Sequence, residues 1–138
     1  MMAQVPEQFL SSSTYLGEVT SGALLLNGNS HYPWFIIVPH GDFTEWMDLP
    51  MDLQQLLLAD INALSAFLNA REDVEKINVA SIGNIVPQFH LHVLGRSSGD
   101  PAWPGPVWGH PDSKEYELGE IAALVEALSK AVKGFVVA

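Results

Sequence analysis

The segment from Gln88 to Leu94 most constrains the fold of this 138-residue chain. From Gln88 to Val93 its polar and apolar residues alternate strictly, and successive side chains of a β-strand point to opposite faces of a sheet. The pattern therefore predicts a strand with one buried apolar face and one polar face. The polar face would carry Gln88, His90 and His92, each about 7 Å from the next.

Hydrophobic patterning elsewhere predicts short strands and two amphipathic helices. The strands are expected over residues 14–19, 23–26, 34–38, 77–82 and 89–94, and the helices over residues 51–70 and 116–133. The apolar run at 34–38 is typical of a strand buried on both faces. This order of elements indicates an α+β fold with a mostly antiparallel sheet, within a single domain spanning residues 1–138.

The segment from Asp100 to Asp112 contains four prolines and two tryptophans. Such a density of proline is incompatible with regular structure, and exposing two indole rings to water is costly. We therefore expect an irregular loop that packs on the rest of the protein.

The charge balance narrows the classes of partner. Sixteen acidic residues against six basic ones give a formal charge of -10, which repels nucleic acid polymers and anionic membranes. There is no cysteine, no leader-like N-terminus and no stretch of about 18 apolar residues. The sequence thus predicts a soluble, cytoplasmic protein. The negative charge does not exclude a small phosphorylated ligand, which would need only a local pocket of hydrogen-bond donors.

Taken alone, the pair His90 and His92 has three interpretations. The first is a half-buried strand whose solvent face happens to be polar. The second is a metal site, for which His40 or His110 would have to supply a further ligand. The third is nucleophilic catalysis, in which a neutral imidazole attacks an electrophile.

The residues around this pair resemble the signature of the histidine triad (HIT) family, in which three histidines alternate with apolar residues. The match comprises Gln88 to Leu94, preceded by Gly83 and Asn84, and the order of the preceding strands and long helix is also similar. One departure is that Gln88 replaces the first histidine, which makes the motif Gln-x-His-x-His. An amide forms hydrogen bonds but cannot carry a proton from one group to another.

The resemblance implies an antiparallel sheet of about five strands with one long central helix and a C-terminal helix. It implies that His90 attacks the α-phosphorus of a nucleotide and forms a nucleotidyl-histidine intermediate. His92 and Asn84 would donate to the phosphate, with Gln88 assisting. The second ring nitrogen of His90 should donate to a backbone carbonyl, so that the attacking nitrogen stays unprotonated. No metal or other cofactor is expected.

The remaining substrate contacts are assigned to three residues. Asn27 resembles the residue that holds the ribose hydroxyls, although an Asn-Gly pair also makes a turn. Asn78 and Arg96 are further candidates, Arg96 because it shares the strand face of His90. Of the tryptophans, Trp103 and Trp108 are expected nearest the site because their loop follows the catalytic strand.

Dinucleoside polyphosphates and nucleoside phosphoramidates are the substrate classes that the resemblance implies. Two alternatives remain: a nucleotide-binding module with weak or no catalysis, and a small His-x-His metal-binding protein. Members of the family commonly form homodimers, to which the tryptophan-rich loop and the tail at residues 135–137 could contribute.

Overall fold

The computed structural model describes residues 5–138, which contain six strands and three α-helices. The strands are β1 (Ser13–Val19), β2 (Gly22–Asn27), β3 (Trp34–Pro39), β4 (Lys76–Ala80), β5 (Leu91–Arg96) and β6 (Val136–Val137). The helices are α1 (Glu7–Leu10), α2 (Met51–Asn69) and α3 (Glu120–Ala131), and a short 3-10 turn spans Trp46–Asp48. All strand pairs are antiparallel, in the order β4-β5-β3-β2-β1-β6.

The predicted α+β class is therefore confirmed, with a long helix α2 and a C-terminal helix α3. The sheet has six strands rather than about five, because Val136 and Val137 pair with Glu18 and Gly17 of β1. The first helix, α1, was not predicted, since four residues are too few for a helical period to be recognised.

Apolar side chains cover both faces of the sheet. On one face, α2 and α3 pack against the strands around residues such as Leu24, Phe35 and Leu64. On the other, Phe9 of α1 and Val107 of the proline-rich loop complete a second cluster with Leu25 and other sheet residues. Because the sheet is covered on both sides, β3 is buried along its whole length, as its continuous apolar sequence predicts.

Several predicted boundaries were wrong. Strand β5 begins at Leu91 rather than Phe89, because the backbone N–H of Phe89 donates to Phe43 O at 2.7 Å instead of joining the sheet. Strand β4 ends at Ala80 rather than residue 82, since Ala80 already pairs with His92 near the start of β5. Helix α3 begins at Glu120 rather than residue 116, because Gly119 adopts a left-handed φ of 89°.

Among residues 5–138, no helix has both the length and the apolar character that crossing a membrane requires.

Candidate active site

His90 and His92 lie side by side at the beginning of β5. Their ring centroids are 5.0 Å apart, and the two residues are only 7% and 6% exposed. His92 pairs with Ile36 of β3 on one side and with Ala80 of β4 on the other. The position of its backbone is thus fixed by strands on both sides.

The hydrogen bond at His90 defines its tautomer. Nδ1 lies 2.8 Å from the backbone oxygen of Gln88, and because a carbonyl only accepts, Nδ1 must donate. The hydrogen bond expected from the sequence is therefore confirmed, and in the neutral ring Nε2 keeps its lone pair. Burial lowers the pKa of His90, although this hydrogen bond partly opposes the shift. His90 is thus held as a neutral imidazole with an unprotonated Nε2.

His92 has the opposite tautomer. Trp34 Nε1 donates to His92 Nδ1 at 2.9 Å, so the proton of the neutral ring lies on Nε2. Burial, together with the neighbouring His90, lowers the pKa of His92 to about 3. The site therefore combines one neutral imidazole that can attack with a second that can donate.

Sequence reasoning missed the role of Trp34 because it treated this residue as part of a buried strand. A usable signal was that a buried indole N–H requires an acceptor.

A cavity of about 600 Å³ opens beside the two imidazoles. Four of the predicted site residues line it: His90, His92, Asn84 and Asn27. Its other lining residues are Gln8, Phe9, Ser11, Ser12, Ser13, Trp34, Ile36, Ile82, Gly83, Ile85, Val86 and Trp108. None of these described residues carries a formal charge at neutral pH. A phosphate placed here would be held by neutral donors.

The two asparagines reach the cavity from different elements. Asn84 lies in the loop between β4 and β5, next to Gly83, whose left-handed φ of 71° turns the backbone. Asn27 ends β2, and its Oδ1 accepts a hydrogen bond from the backbone N–H of Asn29 at 2.9 Å. Asn27 thus makes the turn expected of an Asn-Gly pair and also lines the cavity.

Gln88 does not line the cavity. Its Nε2 donates to Gly41 O at 3.2 Å, in the loop that follows β3. The alternation of side chains does not extend to this residue because the extended strand starts only at Leu91. Of the three residues expected on one face, the structure brings His90 and His92 together and places Gln88 apart from them.

Arg96 and Asn78 also lie apart from the cavity, near the other end of β5. Arg96 is 3% exposed and forms two hydrogen bonds with the carboxylate of Asp100, at 2.7 and 3.0 Å. It also donates to Asn78 Oδ1 at 3.0 Å and to Gly105 O at 2.8 Å. These contacts attach the proline-rich loop to the sheet and leave Arg96 little capacity for a phosphate.

The two tryptophans of that loop have different positions. Trp108 lines the cavity, and its ring centroid lies 5.1 Å from that of His92 and 5.7 Å from that of Trp34. Trp103 instead lies against the Arg96 guanidinium, 5.7 Å from ring centroid to Cζ. The loop packs on the protein as expected, and Trp108 is the tryptophan that reaches the site.

Neither candidate for a further metal ligand joins the histidine pair. His40 Nε2 lies 3.7 Å from Glu18 Oε1. His110 accepts a hydrogen bond from the backbone N–H of Asp112. Within the described part of the chain, no three His, Cys, Asp or Glu residues form a group suited to hold a metal ion.

The fold and the site define an antiparallel α+β protein in which two neutral imidazoles lie beside a cavity at the start of β5. Residues 10–99 match the family model of the HIT domain. The chain belongs to the HIT family. Membership of this family supports assigning the chain to the nucleotide hydrolases and transferases that act on small nucleotides.

Solved structures of histidine triad proteins are similar to this chain over nearly their whole length. The protein from Marinobacter aquaeolei is 36% identical, with a TM-score of 0.89 over 99% of this chain and 100% of that one. The protein from Sinorhizobium meliloti is 30% identical, with a TM-score of 0.88 over 94% and 97%. The protein from Bradyrhizobium japonicum is 29% identical, with a TM-score of 0.89 over 96% and 99%. Among curated proteins, no significant match to the sequence was found.

Proposed function

We propose that this protein is an enzyme that cleaves or transfers at the α-phosphate of a nucleotide through a covalent intermediate on His90. The observation that carries the proposal is the hydrogen bond from His90 Nδ1 to Gln88 O, which leaves Nε2 as a buried, unprotonated nucleophile. The neutral state favoured by burial keeps this nucleophile available at neutral pH.

In the first step, the lone pair of His90 Nε2 forms a bond to the α-phosphorus. The bond from phosphorus to the leaving oxygen or nitrogen breaks, and the leaving group takes that electron pair together with a proton from the solvent. In the second step, water or another acceptor attacks the phosphorus and the bond to Nε2 breaks. With water, the second step releases a nucleoside monophosphate and a proton and restores neutral His90.

Neutral donors stabilise the charge that develops on the phosphate oxygens. His92 donates through its Nε2–H, because Trp34 occupies Nδ1. Asn84 donates through its side-chain amide, and Asn27 holds the sugar hydroxyls. Gln88 assists indirectly, by fixing the backbone carbonyl that orients His90.

Asn78 and Arg96 receive a different role from the one that the sequence suggested. Because Arg96 donates to Asp100 and Gly105 and also to Asn78, we assign both residues to anchoring the loop that carries Trp108 rather than to contacting substrate.

The substrates we propose are nucleoside phosphoramidates or dinucleoside polyphosphates. The test is turnover of a fluorogenic adenosine phosphoramidate and of a diadenosine polyphosphate, with and without chelator, by the wild type and His90→Ala. His40→Ala is the matched control, since His40 lies outside the cavity. Turnover that survives chelator, is lost in His90→Ala and persists in His40→Ala supports the proposal, as does mass-spectrometric trapping of a nucleotide on His90.

Two other results would contradict the proposal. Tight nucleotide binding without turnover would make the protein a binding module. Stoichiometric bound metal with chelator-sensitive stability would make it a metal-binding protein.

We further propose that the protein is a homodimer. Supporting this, β4 is an edge strand whose Val79 is 46% exposed, so its outer backbone groups could pair with a second copy. In the tail, Phe135 is buried in the core of its own chain, but Val136 and Val137 are 66% and 56% exposed on the opposite edge strand β6 and could contribute to the contact as well. A monomer measured by light scattering at micromolar concentration would refute the dimer.

A further inference from the structure

The aromatic ring of Phe9 packs against the imidazole of His90. The two ring centroids are 4.6 Å apart and the ring planes are inclined by 70°, an edge-to-face arrangement. Phe9 is 5% exposed and lines the cavity. It belongs to α1 and precedes residues 10–99, which match the family model, so membership of the family does not account for this contact.

The His90 ring is held by contacts from two parts of the chain. Its Nδ1 donates to Gln88 O at 2.8 Å, and the ring of His92 lies 5.0 Å away, inclined by 73°. Gln88 and His92 are each two residues from His90 along the chain, whereas Phe9 reaches His90 only through the tertiary structure. Because the ring of Phe9 is apolar, its contact removes water from the imidazole.

Helix α1 is attached to the sheet that carries the site. Phe9 belongs to the same hydrophobic cluster as Leu25 of β2 and Ile36 of β3. The chain that follows α1 is held as well, because Ser12 O accepts a hydrogen bond from the backbone N–H of Gly28 at 2.8 Å. Phe9 thus contacts His90 from a position that the sheet fixes.

We propose that Phe9 is a positioning residue, which holds the His90 ring in the orientation set by Gln88 O and excludes water from it. This inference rests on the proposed function, in which His90 Nε2 attacks phosphorus. In-line attack depends on the placement of the reacting atom, and a small displacement lowers the rate steeply. Burial is also the largest cause of the lowered pKa of His90, and the ring of Phe9 contributes to that burial.

Among residues 5–138, few titratable groups face His90. His92 is the other titratable residue that lines the cavity, and its pKa is lowered to about 3, so it is uncharged at neutral pH. On α1, Glu7 is exposed and does not line the cavity. Residues 81–88, which precede His90, contain no titratable side chain. A change in the pKa of His90 on replacing Phe9 would therefore report hydration of the ring rather than loss of a charge.

Three variants separate positioning from a general effect on stability. Phe9→Ala removes the ring, and Phe9→Leu keeps a smaller apolar side chain. Phe135→Ala is the matched control, since Phe135 is 7% exposed, similar to Phe9, but belongs to the hydrophobic cluster on the opposite face of the sheet. Phe135→Ala thus makes the same chemical change at similar burial and away from the cavity.

The experiment measures the pKa of His90 by NMR titration of its ring protons, with His90→Ala identifying the resonances. Steady-state kinetics with the adenosine phosphoramidate gives kcat and KM at about pH 8, where the ring is neutral. Phe9→Ala should raise the pKa of His90 toward 6.5 and lower kcat about 10-fold, with KM within about 2-fold. Phe9→Leu should keep the pKa close to the wild-type value and lower kcat about 3-fold. Phe135→Ala should lower the melting temperature but match the wild type in both the pKa of His90 and kcat.

The inference is overturned if Phe9→Ala retains the wild-type pKa and kcat, or if Phe135→Ala changes both as much. A raised KM with unchanged kcat would also overturn it, because Phe9 would then bind the ligand rather than position His90. Should Phe9→Ala not fold, Phe9→Leu decides, since a wild-type kcat in that variant contradicts positioning. If the wild type turns over neither proposed substrate class, the proposed function fails, and the pKa of His90 in Phe9→Ala alone decides whether Phe9 excludes water from the ring.

Discussion

The indole N–H of Trp34 donates to His92 Nδ1 at 2.9 Å, and this hydrogen bond makes His92 a donor at its other ring nitrogen. The neighbouring His90 has the reverse arrangement, because Gln88 O occupies its Nδ1. Two identical side chains thus receive different chemical roles from their hydrogen-bond partners. The difference between the two tautomers arises from these hydrogen bonds and requires no charged residue in the cavity.

Replacing Trp34 with Phe should separate catalysis from binding. The ring remains, but His92 loses the donor that fixes its tautomer, so a fraction of the molecules would direct a lone pair rather than an N–H at the phosphate. We expect kcat to fall by about 10-fold, equivalent to about one hydrogen bond, with KM within 2-fold. Steady-state kinetics with the phosphoramidate measures both constants. An equal loss in Trp103→Phe would show that the effect is not specific to His92.

The pH dependence of activity should follow from the lowered pKa of His90. Protonation of Nε2 removes the attacking lone pair, and burial shifts that event below the ordinary value of 6.5. We expect kcat/KM to reach a plateau above the shifted pKa and to fall tenfold per pH unit below it. An acid limb with its midpoint at or above pH 6.5 would contradict the neutral, buried nucleophile.

Acid should destabilise the fold through His92. Its pKa falls from 6.5 in the unfolded chain to about 3 in the folded protein, so between these values only the unfolded chain binds the proton. The corresponding stability is fully present above pH 6.5 and is lost as the pH falls toward 3. Between pH 7 and 5 we expect this group to account for about 1–2 kcal/mol of the free energy of unfolding. Urea titrations of the wild type and His92→Asn check this, since the variant should lose less stability over the same range.

Removing the charge of Arg96 should destabilise the protein without changing substrate contacts. Burial alone would raise the pKa of Asp100, but hydrogen bonds from Arg96 and from backbone N–H groups hold it below its ordinary value. Arg96→Met would leave that carboxylate buried without its cation, at a cost of about 3–5 kcal/mol in the free energy of unfolding.

Two comparisons test this interpretation. Arg71→Met breaks an exposed ion pair with Asp73 and should cost less than about 1 kcal/mol. The double variant Arg96→Met/Asp100→Asn should be more stable than Arg96→Met alone. A KM raised more than about 10-fold in folded Arg96→Met would instead support direct contact between Arg96 and substrate.

Local sequence patterns determined much of the fold and indicated that His90 and His92 lie close together. Alternation around His92 and the continuous apolar run at 34–38 predict strands because side-chain direction in a strand depends only on sequence parity. The three- and four-residue steps of α2 predict its helix in the same way. The resemblance to the histidine-triad signature implied the hydrogen bond at His90 Nδ1, which is present, and the role of His90 as nucleophile, which stays a prediction.

Tertiary structure alone decided which polar groups meet. Trp34 and His92 are 58 residues apart and contact each other because β3 and β5 are neighbours in the sheet. Arg96 has the same strand parity as His90, from which a place beside the site was predicted. Asp100 and Gly105 bind it instead, because the proline-rich loop folds back over β5. Gln88 turns away from the cavity since its segment bonds to the loop after β3 rather than to the sheet. Parity along one strand determines the direction of a side chain, whereas the partner it finds depends on segments that folding brings from elsewhere in the chain.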